Sequence, residues 1–300
     1  VKIQNFLSHC KNPLLIVSEL PEQIKPVVEK CLSGWKGLCY VEGASGMSGT
    51  LPYTIQSGSA FAQNIMNDCD GVLRLGGVPT LRLWRDLEHS LSHLPVVSVS
   101  HLPFSGLSRE KSPPISFASF KAVMLGKTKE PDVPQNILSK DKKSKQAIEL
   151  LLGEFPEAEP SQYQKLSTII DSQDVVFLGN SLPIRLLDFI ASPKKFKSVF
   201  VNRGANGIDG LISTALGVVD DSETLWIVLG DLSALYDLNA LWALSFLRNQ
   251  EVKIVVVNNG GGKIFHRILG NPLFENQHSL GFSYWAEMFG LSFQEIKTVE

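Results

Sequence analysis

The sequence contains little cysteine, and its cysteines show no sign of working in pairs. Cys10, Cys31, Cys39 and Cys69 are the four present, all in the first quarter of the chain, and none forms a Cys-x-x-Cys motif. A disulfide-stabilised scaffold or a cysteine zinc site is therefore not expected. This cysteine usage suits a reducing compartment, and we expect a cytoplasmic protein.

The sequence also lacks an excess of charge and any long apolar run. A formal net charge of −2 gives no indication of a nucleic-acid partner or of a charged tail. Apolar runs such as 225–229 and 254–257 are far shorter than the roughly 20 residues that span a bilayer, so we expect no membrane span. Hydrophobic residues make up 44% of the chain, which is enough to build a full core.

The start of the sequence has neither a methionine nor a signal peptide. Residue 1 is Val, and no basic, apolar and small-residue regions follow it in the order that a signal peptide requires. The last residues, 292–300, resemble the approach to another strand. We therefore expect a piece of a longer protein, cut at both ends.

Short apolar segments alternate with segments of helical periodicity along the whole chain. The predicted strands are 14–17, 38–41, 72–75, 96–99, 122–125, 175–178, 198–201, 225–229 and 252–257. The predicted helices are 24–32, 59–67, 80–91, 182–190, 210–218, 238–247 and 284–290. Uninterrupted apolar strands separated by helices are typical of parallel sheets that are buried on both faces. The pattern predicts an α/β protein with two doubly wound domains and mainly parallel sheets.

The segment 126–144 separates the two halves of this pattern. It contains two prolines, many lysines and few apolar residues, which is the composition of a linker. We place the domain boundary near residue 140, with one domain over 1–140 and the other over 141–300.

Two polar side chains follow predicted strands in the second half. Asp231 comes after the strand 225–229 and Gly230, and Asn258 directly follows the strand 252–257. Twenty-six residues separate them, which is about the length of one helix and a return strand. Because ligands of open α/β sheets bind beyond the carboxyl ends of the strands, we expect both side chains to face one ligand site.

This pair of residue types suits a magnesium ion that carries a diphosphate. Mg²⁺ takes oxygen ligands in octahedral geometry and commonly combines one or two protein oxygens with phosphate oxygens. The glycines at 260, 261 and 262 allow the backbone to approach an anion and donate N–H groups to it. Taken singly, Asp231 could be only a helix cap and Asn258 only part of a turn. Their order and spacing favour the metal site.

The sequence around these residues resembles the thiamine diphosphate-dependent enzymes. Gly230-Asp231 followed by Asn258-Asn259 resembles their cofactor motif, with Leu232 in place of its second glycine. The segments NSLPIRLLD at 180–188, NRGANGIDGLISTALG at 202–217, GDLSALYDLNAL at 230–241 and VVVNNGGGKIF at 255–265 together resemble one branch, the MenD family of menaquinone biosynthesis.

The resemblance implies a set of site residues. It places the metal ion, Mg²⁺ or Mn²⁺, on Asp231, Asn258 and the backbone carbonyl of Gly260. It places Ser181, Arg185 and Arg203 on the substrate carboxylates. It implies that thiamine diphosphate contacts Ile208, Gly230, Asp231, Leu232, Ser233, Asn258, Gly260, Gly261 and Gly262.

The resemblance also implies an activity. Enzymes of the MenD family are transferases that decarboxylate 2-oxoglutarate and add the resulting succinyl semialdehyde unit to isochorismate. They are homodimers or homotetramers. Residues 1–140 would form the Rossmann-like central domain, and 141–300 would form a diphosphate-binding domain truncated at its C-terminus. No segment resembles the N-terminal pyrimidine-binding domain that carries the activating glutamate, so we expect the 300 residues alone to be inactive.

Other interpretations remain open from the residues alone. The pair Asp231 and Asn258 would serve equally in an acetolactate synthase or another 2-oxo acid decarboxylase. A non-catalytic nucleotide-binding module is a further alternative, and it predicts diphosphate binding that does not depend on Mg²⁺. Arg185 could be a solvated helix charge, Arg203 could be part of a structural ion pair, and Ile208 could be an ordinary core residue.

Overall fold

The computed structural model describes residues 2–125, 135–190, 196–204, 206–218, 224–247 and 250–297, without the side chains of residues 267 and 268. The chain divides into two compact units. The first contains residues 1–155 and 188–195, and the second contains 156–187 and 196–300.

The first unit contains a four-stranded parallel sheet in the order β2-β1-β3-β4. Its strands are β1 (Pro13–Val17), β2 (Cys39–Val41), β3 (Gly71–Leu75) and β4 (Val96–Val99). Its helices are α1 (Lys2–His9), α2 (Lys25–Leu32), α3 (Ser59–Asn64), α4 (Arg82–Asp86), α5 (Phe117–Met124) and α6 (Gln135–Glu154), with 3₁₀ turns at Glu22–Ile24, Gly43–Ser45 and Ile65–Asp68.

Both faces of this sheet are covered, as its apolar strands predict. Leu15 and Val17 of β1 belong to one buried cluster, whereas Leu14 and Ile16 belong to another. Successive side chains of a strand point to opposite faces, so the two clusters lie on opposite sides of the sheet. The four cysteines are buried free thiols in this unit.

The second unit repeats this architecture with the strand order β6-β5-β7-β8, again entirely parallel. Its strands are β5 (Val175–Leu178), β6 (Ser198–Val201), β7 (Thr224–Gly230) and β8 (Glu251–Val257). Its helices are α7 (Glu159–Ile169), α8 (Leu182–Ile190, its last residues counted with the first unit), α9 (Leu211–Gly217), α10 (Asp231–Leu235), α11 (His266–Leu269) and α12 (Ser283–Met288), with 3₁₀ segments at Leu238–Phe246, Lys263–Phe265 and Pro272–Glu275. The predicted class, α/β with two doubly wound parallel sheets, is confirmed.

Two local predictions differ from the structure. The run 122–125, predicted as a strand, ends helix α5, because the Ser116 side chain caps that helix by accepting from Ser119 N–H, and Phe117 and Phe120 bury one face of it. Residues 135–144 of the predicted linker belong to helix α6, and 126–134 lie outside the described residues.

The buried face of α6 explains why the composition of 126–144 wrongly predicted a linker over residues 135–144. Ile137, Asp141 and Lys145 are buried at intervals of four residues, so they form one stripe along the helix, while the other lysines face solvent. The compact units divide at 155/156 rather than near residue 140. The assignment of the units to a central and a diphosphate-binding domain stays a prediction.

No helix in the described part of the chain is both long enough and apolar enough to cross a membrane.

Candidate cofactor-binding site

A charged cavity lies at the carboxyl edge of the second sheet. From β5 the chain passes first to β6 on one side and later to β7 on the other, so the strand order reverses between β5 and β7. Parallel α/β sheets bind ligands at such a switch point. The cavity has a volume of about 180 Å³ and opens to solvent at its mouth.

Ten of the twelve residues that the sequence assigned to the site line this cavity. They are Ser181, Arg185, Arg203, Ile208, Gly230, Asp231, Leu232, Ser233, Gly261 and Gly262. The two that do not line it are Asn258 and Gly260.

The Asp231 carboxylate is held at the end of β7 by backbone N–H groups. Asp231 is the first residue of α10 and is 2% exposed. Its Oδ1 accepts from Leu232 N–H at 2.7 Å, and its Oδ2 accepts from Gly261 N–H at 2.8 Å. His278 Nε2 lies 3.2 Å from the same Oδ2. Each carboxylate oxygen keeps lone-pair capacity beyond these bonds, so the group can still bind a cation.

The two asparagines after β8 point in different directions. Asn258 is exposed, and its Nδ2 donates to Leu280 O at 2.9 Å. Val257 and Asn259 both line the cavity, whereas Asn258 between them does not, as expected where side chains alternate. The structure therefore places Asn259, and not Asn258, in the cavity that Asp231 also lines.

The first glycine of the loop at 260–262 that lines the cavity also lies one residue later than the sequence predicted. The Gly260 carbonyl accepts from His278 N–H at 3.2 Å, and Gly260 does not line the cavity. Gly261, two residues after Asn259, does line it. Gly261 has φ 135°, and a Cβ atom there would lie 2.5 Å from the Glu275 carbonyl oxygen. Only glycine fits this position, which explains the requirement for glycine in the loop.

Glu275 anchors the loop that carries these glycines. Its buried carboxylate accepts from Lys263 Nζ at 2.7 Å, from His266 Nδ1 at 2.8 Å and from Gln277 Nε2 at 3.2 Å. These hydrogen bonds, that from Lys263 above all, lower the pKa of Glu275 to about 2. These hydrogen bonds hold the glycine loop in place beside the cavity, which Lys263 also lines.

Two guanidinium groups also line the cavity. Arg185 Nη1 donates to Ser181 O at 2.6 Å, and Arg203 Nη1 lies 3.3 Å from Asn180 Oδ1. Asn180 Nδ2 in turn donates to Gly207 O at 2.7 Å. Ser181, between β5 and α8, has φ 77°, which is unusual for a residue with a side chain. The cavity therefore combines cationic groups with the acidic group at the end of β7.

Two further residues of this cavity, Glu159 and Tyr163, belong to no motif by which the sequence could reveal them. Glu159 Oε2 accepts from Asn259 Nδ2 at 3.0 Å, and burial raises the pKa of Glu159. Tyr163, one turn further along α7, is 1% exposed, and its hydroxyl has no hydrogen-bond partner among the described residues. Asn180 also lines the cavity. Glu159 lies far from Asp231 in sequence, so no local spacing connects them.

The Asn259 Oδ1 atom is an oxygen of the cavity that could bind a ligand. It is buried and accepts no hydrogen bond from any described residue, although buried polar atoms are almost always satisfied. An amide oxygen beside a carboxylate suits a hard cation such as Mg²⁺. No cluster of three or more His, Cys, Asp or Glu side chains suited to a metal occurs in the described ranges. A site built from one carboxylate, one amide and one backbone carbonyl contains only one such side chain.

Fold and cavity together define an α/β protein of the class that binds ligands at the carboxyl edge of a parallel sheet. No protein-family model matches the chain. Curated relatives do match it, and three of them carry the name 2-succinyl-5-enolpyruvyl-6-hydroxy-3-cyclohexene-1-carboxylate synthase. The one from Bdellovibrio bacteriovorus is 39% identical over 99% of this chain and 57% of its own length. The one from Akkermansia muciniphila is 35% identical over 76% of this chain and 44% of its own.

The third relative, from Shewanella frigidimarina, is 43% identical over 43% of this chain and 23% of its own length. This chain belongs to the family of these synthases, the MenD family. The chain spans about half the length of the relatives from Bdellovibrio bacteriovorus and Akkermansia muciniphila.

Proposed function

We propose that the full-length protein is a thiamine diphosphate-dependent carboligase of menaquinone biosynthesis. It would decarboxylate 2-oxoglutarate and add the succinyl semialdehyde unit to isochorismate. The observation that carries the proposal is the similarity to synthases of this name along almost the whole chain. The cavity supports the proposal, because ten residues of the expected site line this one cavity.

The residues present fit the cofactor that this function requires. We propose that Asp231 and Asn259 hold the divalent cation, Mg²⁺ or Mn²⁺, together with a carbonyl of the glycine loop. This revises the expectation for Asn258 and Gly260, neither of which lines the cavity. The absence of side chains at 260–262 lets a diphosphate approach this loop closely, while the Gly261 and Gly262 N–H groups bond Asp231 and Glu275.

The substrate side of the cavity suits dicarboxylates. Arg185 and Arg203 would bind carboxylates through their planar guanidinium forks, and the Ser181 hydroxyl would add a hydrogen bond. Ile208 would pack against the bound cofactor. When bound, thiamine diphosphate supplies the electron sink for decarboxylation. The protein would orient the substrates and keep water from the reacting atoms.

The activity is expected of the whole protein, as a homodimer or homotetramer. We expect the 300 residues alone to show no carboligation, since none of their segments resembles the pyrimidine-binding domain of the family. Carboligation by the isolated 300 residues would contradict this.

Calorimetry of the full-length protein tests the proposal. We expect thiamine diphosphate to bind only with Mg²⁺ present, and Asp231→Ala to weaken this binding by more than about 100-fold, because even residues that only support a metal ligand cost about 10–100-fold. Glu287→Ala, an exposed carboxylate outside the cavity lining, is the matched control. Equal binding with and without Mg²⁺ would favour a nucleotide-binding module instead. Product formed from pyruvate but not from 2-oxoglutarate and isochorismate would favour an acetolactate synthase.

A further inference from the structure

The carboxylate of Glu159 lies beside Asn259 in the cavity wall. Glu159 is the first residue of helix α7, and its Oε2 is 3.0 Å from Asn259 Nδ2. Both residues line the same cavity as Asp231. The contact joins two elements that are 100 residues apart in sequence, so the fold rather than local chain geometry brings it about.

The chemistry of the two groups fixes the orientation of the amide. A carboxylate only accepts hydrogen bonds, whereas an asparagine amide donates at one end and accepts at the other. The NH₂ group of Asn259 must therefore turn toward Glu159, and Oδ1 is left at the other end. That oxygen is buried and has no hydrogen-bond partner among the described residues. A flipped amide would direct its N–H groups at a cation and repel it.

We propose that Glu159 is a positioning residue for the cation site: it holds the Asn259 amide so that Oδ1 faces the metal ion. This inference rests on the proposed function and deepens it. It adds a residue that contacts a metal ligand, Asn259, without contacting the metal ion itself. Outer residues of this kind orient a ligand and raise metal affinity without touching the metal.

A competing role for Glu159 can be separated from positioning. Its second oxygen, Oε1, is also buried without a hydrogen-bond partner in the described part of the chain. That atom could bind the cation directly, or the charge could attract it from a distance. Either of these effects would persist without Asn259, whereas positioning acts only through Asn259. A double-mutant cycle therefore distinguishes them.

The test measures Mn²⁺ binding to the full-length protein by electron paramagnetic resonance, in the presence of inorganic diphosphate. We expect Glu159→Ala to weaken binding by roughly 10-fold. In an Asn259→Ala background the same substitution should have no further effect beyond about twofold. Glu159→Gln, whose side-chain carbonyl can still accept from Asn259, should restore most of the affinity. Glu157→Ala is the control, since Glu157 is exposed and does not line the cavity.

Three outcomes would overturn the inference while the wild-type protein still binds Mn²⁺ with diphosphate. These are unchanged affinity in Glu159→Ala, an equal loss in the Asn259→Ala background, and a Gln variant as weak as the Ala variant. Failure of the wild-type protein to bind Mn²⁺ with diphosphate is a different result. It would overturn the proposed function itself, and the inference with it.

Discussion

Replacing each of the two adjacent asparagines by alanine tests which of them binds the cation. The sequence motif predicts Asn258, whereas the cavity geometry predicts Asn259. Asn258 and Asn259 are neighbours of the same type, so Asn258→Ala and Asn259→Ala form a matched pair. The structure directs only the Asn259 amide into the cavity with Asp231. We therefore expect the two variants to differ strongly in Mg²⁺ and thiamine diphosphate binding.

The contacts of each asparagine set the expected magnitudes. Asn258 is exposed and makes one bond to Leu280 O, so its loss should cost about 0.5–1.5 kcal/mol of stability and leave cofactor binding unchanged. Asn259 would lose a cation ligand, which should weaken binding by at least about 10–100-fold, equivalent to about 1.4–2.7 kcal/mol. Its bond to the Glu159 carboxylate adds about 1.5–3 kcal/mol to the stability of the metal-free protein.

Two measurements on the full-length protein check these values. Titration calorimetry of Mg²⁺ at fixed thiamine diphosphate gives the loss of binding, and thermal unfolding without metal gives the loss of stability. The reasoning would be refuted if Asn258→Ala lost the cofactor while Asn259→Ala bound it normally. In that case the sequence motif would have identified the ligand correctly, and the side-chain directions described here would be wrong.

Two predictions concern the first unit. The buried Asp141 carboxylate accepts from Gln56 N–H, from Ser57 N–H and from the Ser57 hydroxyl, so Asp141→Ala should cost about 2–4 kcal/mol in chemical denaturation, and a loss below 0.5 kcal/mol would contradict this. Burial raises the pKa of Asp188, which bonds Tyr40, from 3.8 to about 7. Folding therefore favours the neutral acid, and the stabilisation it gives should be full below about pH 4 and lost as the pH rises through about 7. Thermal melts across this range should show that loss in the wild-type protein and not in Asp188→Asn, and equal slopes would contradict the assignment.

The strands were largely predictable from the sequence because a parallel sheet buries both faces. Runs such as 14–17 and 225–229 are too short and too apolar for surface helices, and glycine or polar residues end them. The run 122–125 is equally apolar yet helical, because its neighbours Phe117 and Phe120 supply a helical face. Apolar content alone does not distinguish a short buried strand from a helix end.

Part of the cavity lining was predictable from the sequence. The motif indicated Asp231, Gly261 and Gly262, which line the cavity, since a residue after a parallel strand lies at the ligand edge. It could not decide between two consecutive asparagines, because the direction of each side chain depends on how the strand ends. Glu159 could not be found at all, because its contact with Asn259 exists only in the folded chain.

Ser181 has a consequence for attempts to engineer this protein. Its left-handed backbone, with φ 77°, costs about 1–3 kcal/mol in a residue with a side chain, and glycine would relieve that cost. A library selected only for heat resistance would therefore tend to accumulate glycine at position 181. The hydroxyl in the cavity wall would disappear with the serine, so selection for heat resistance would remove a group that we propose for substrate binding. Stabilising libraries should keep this position fixed.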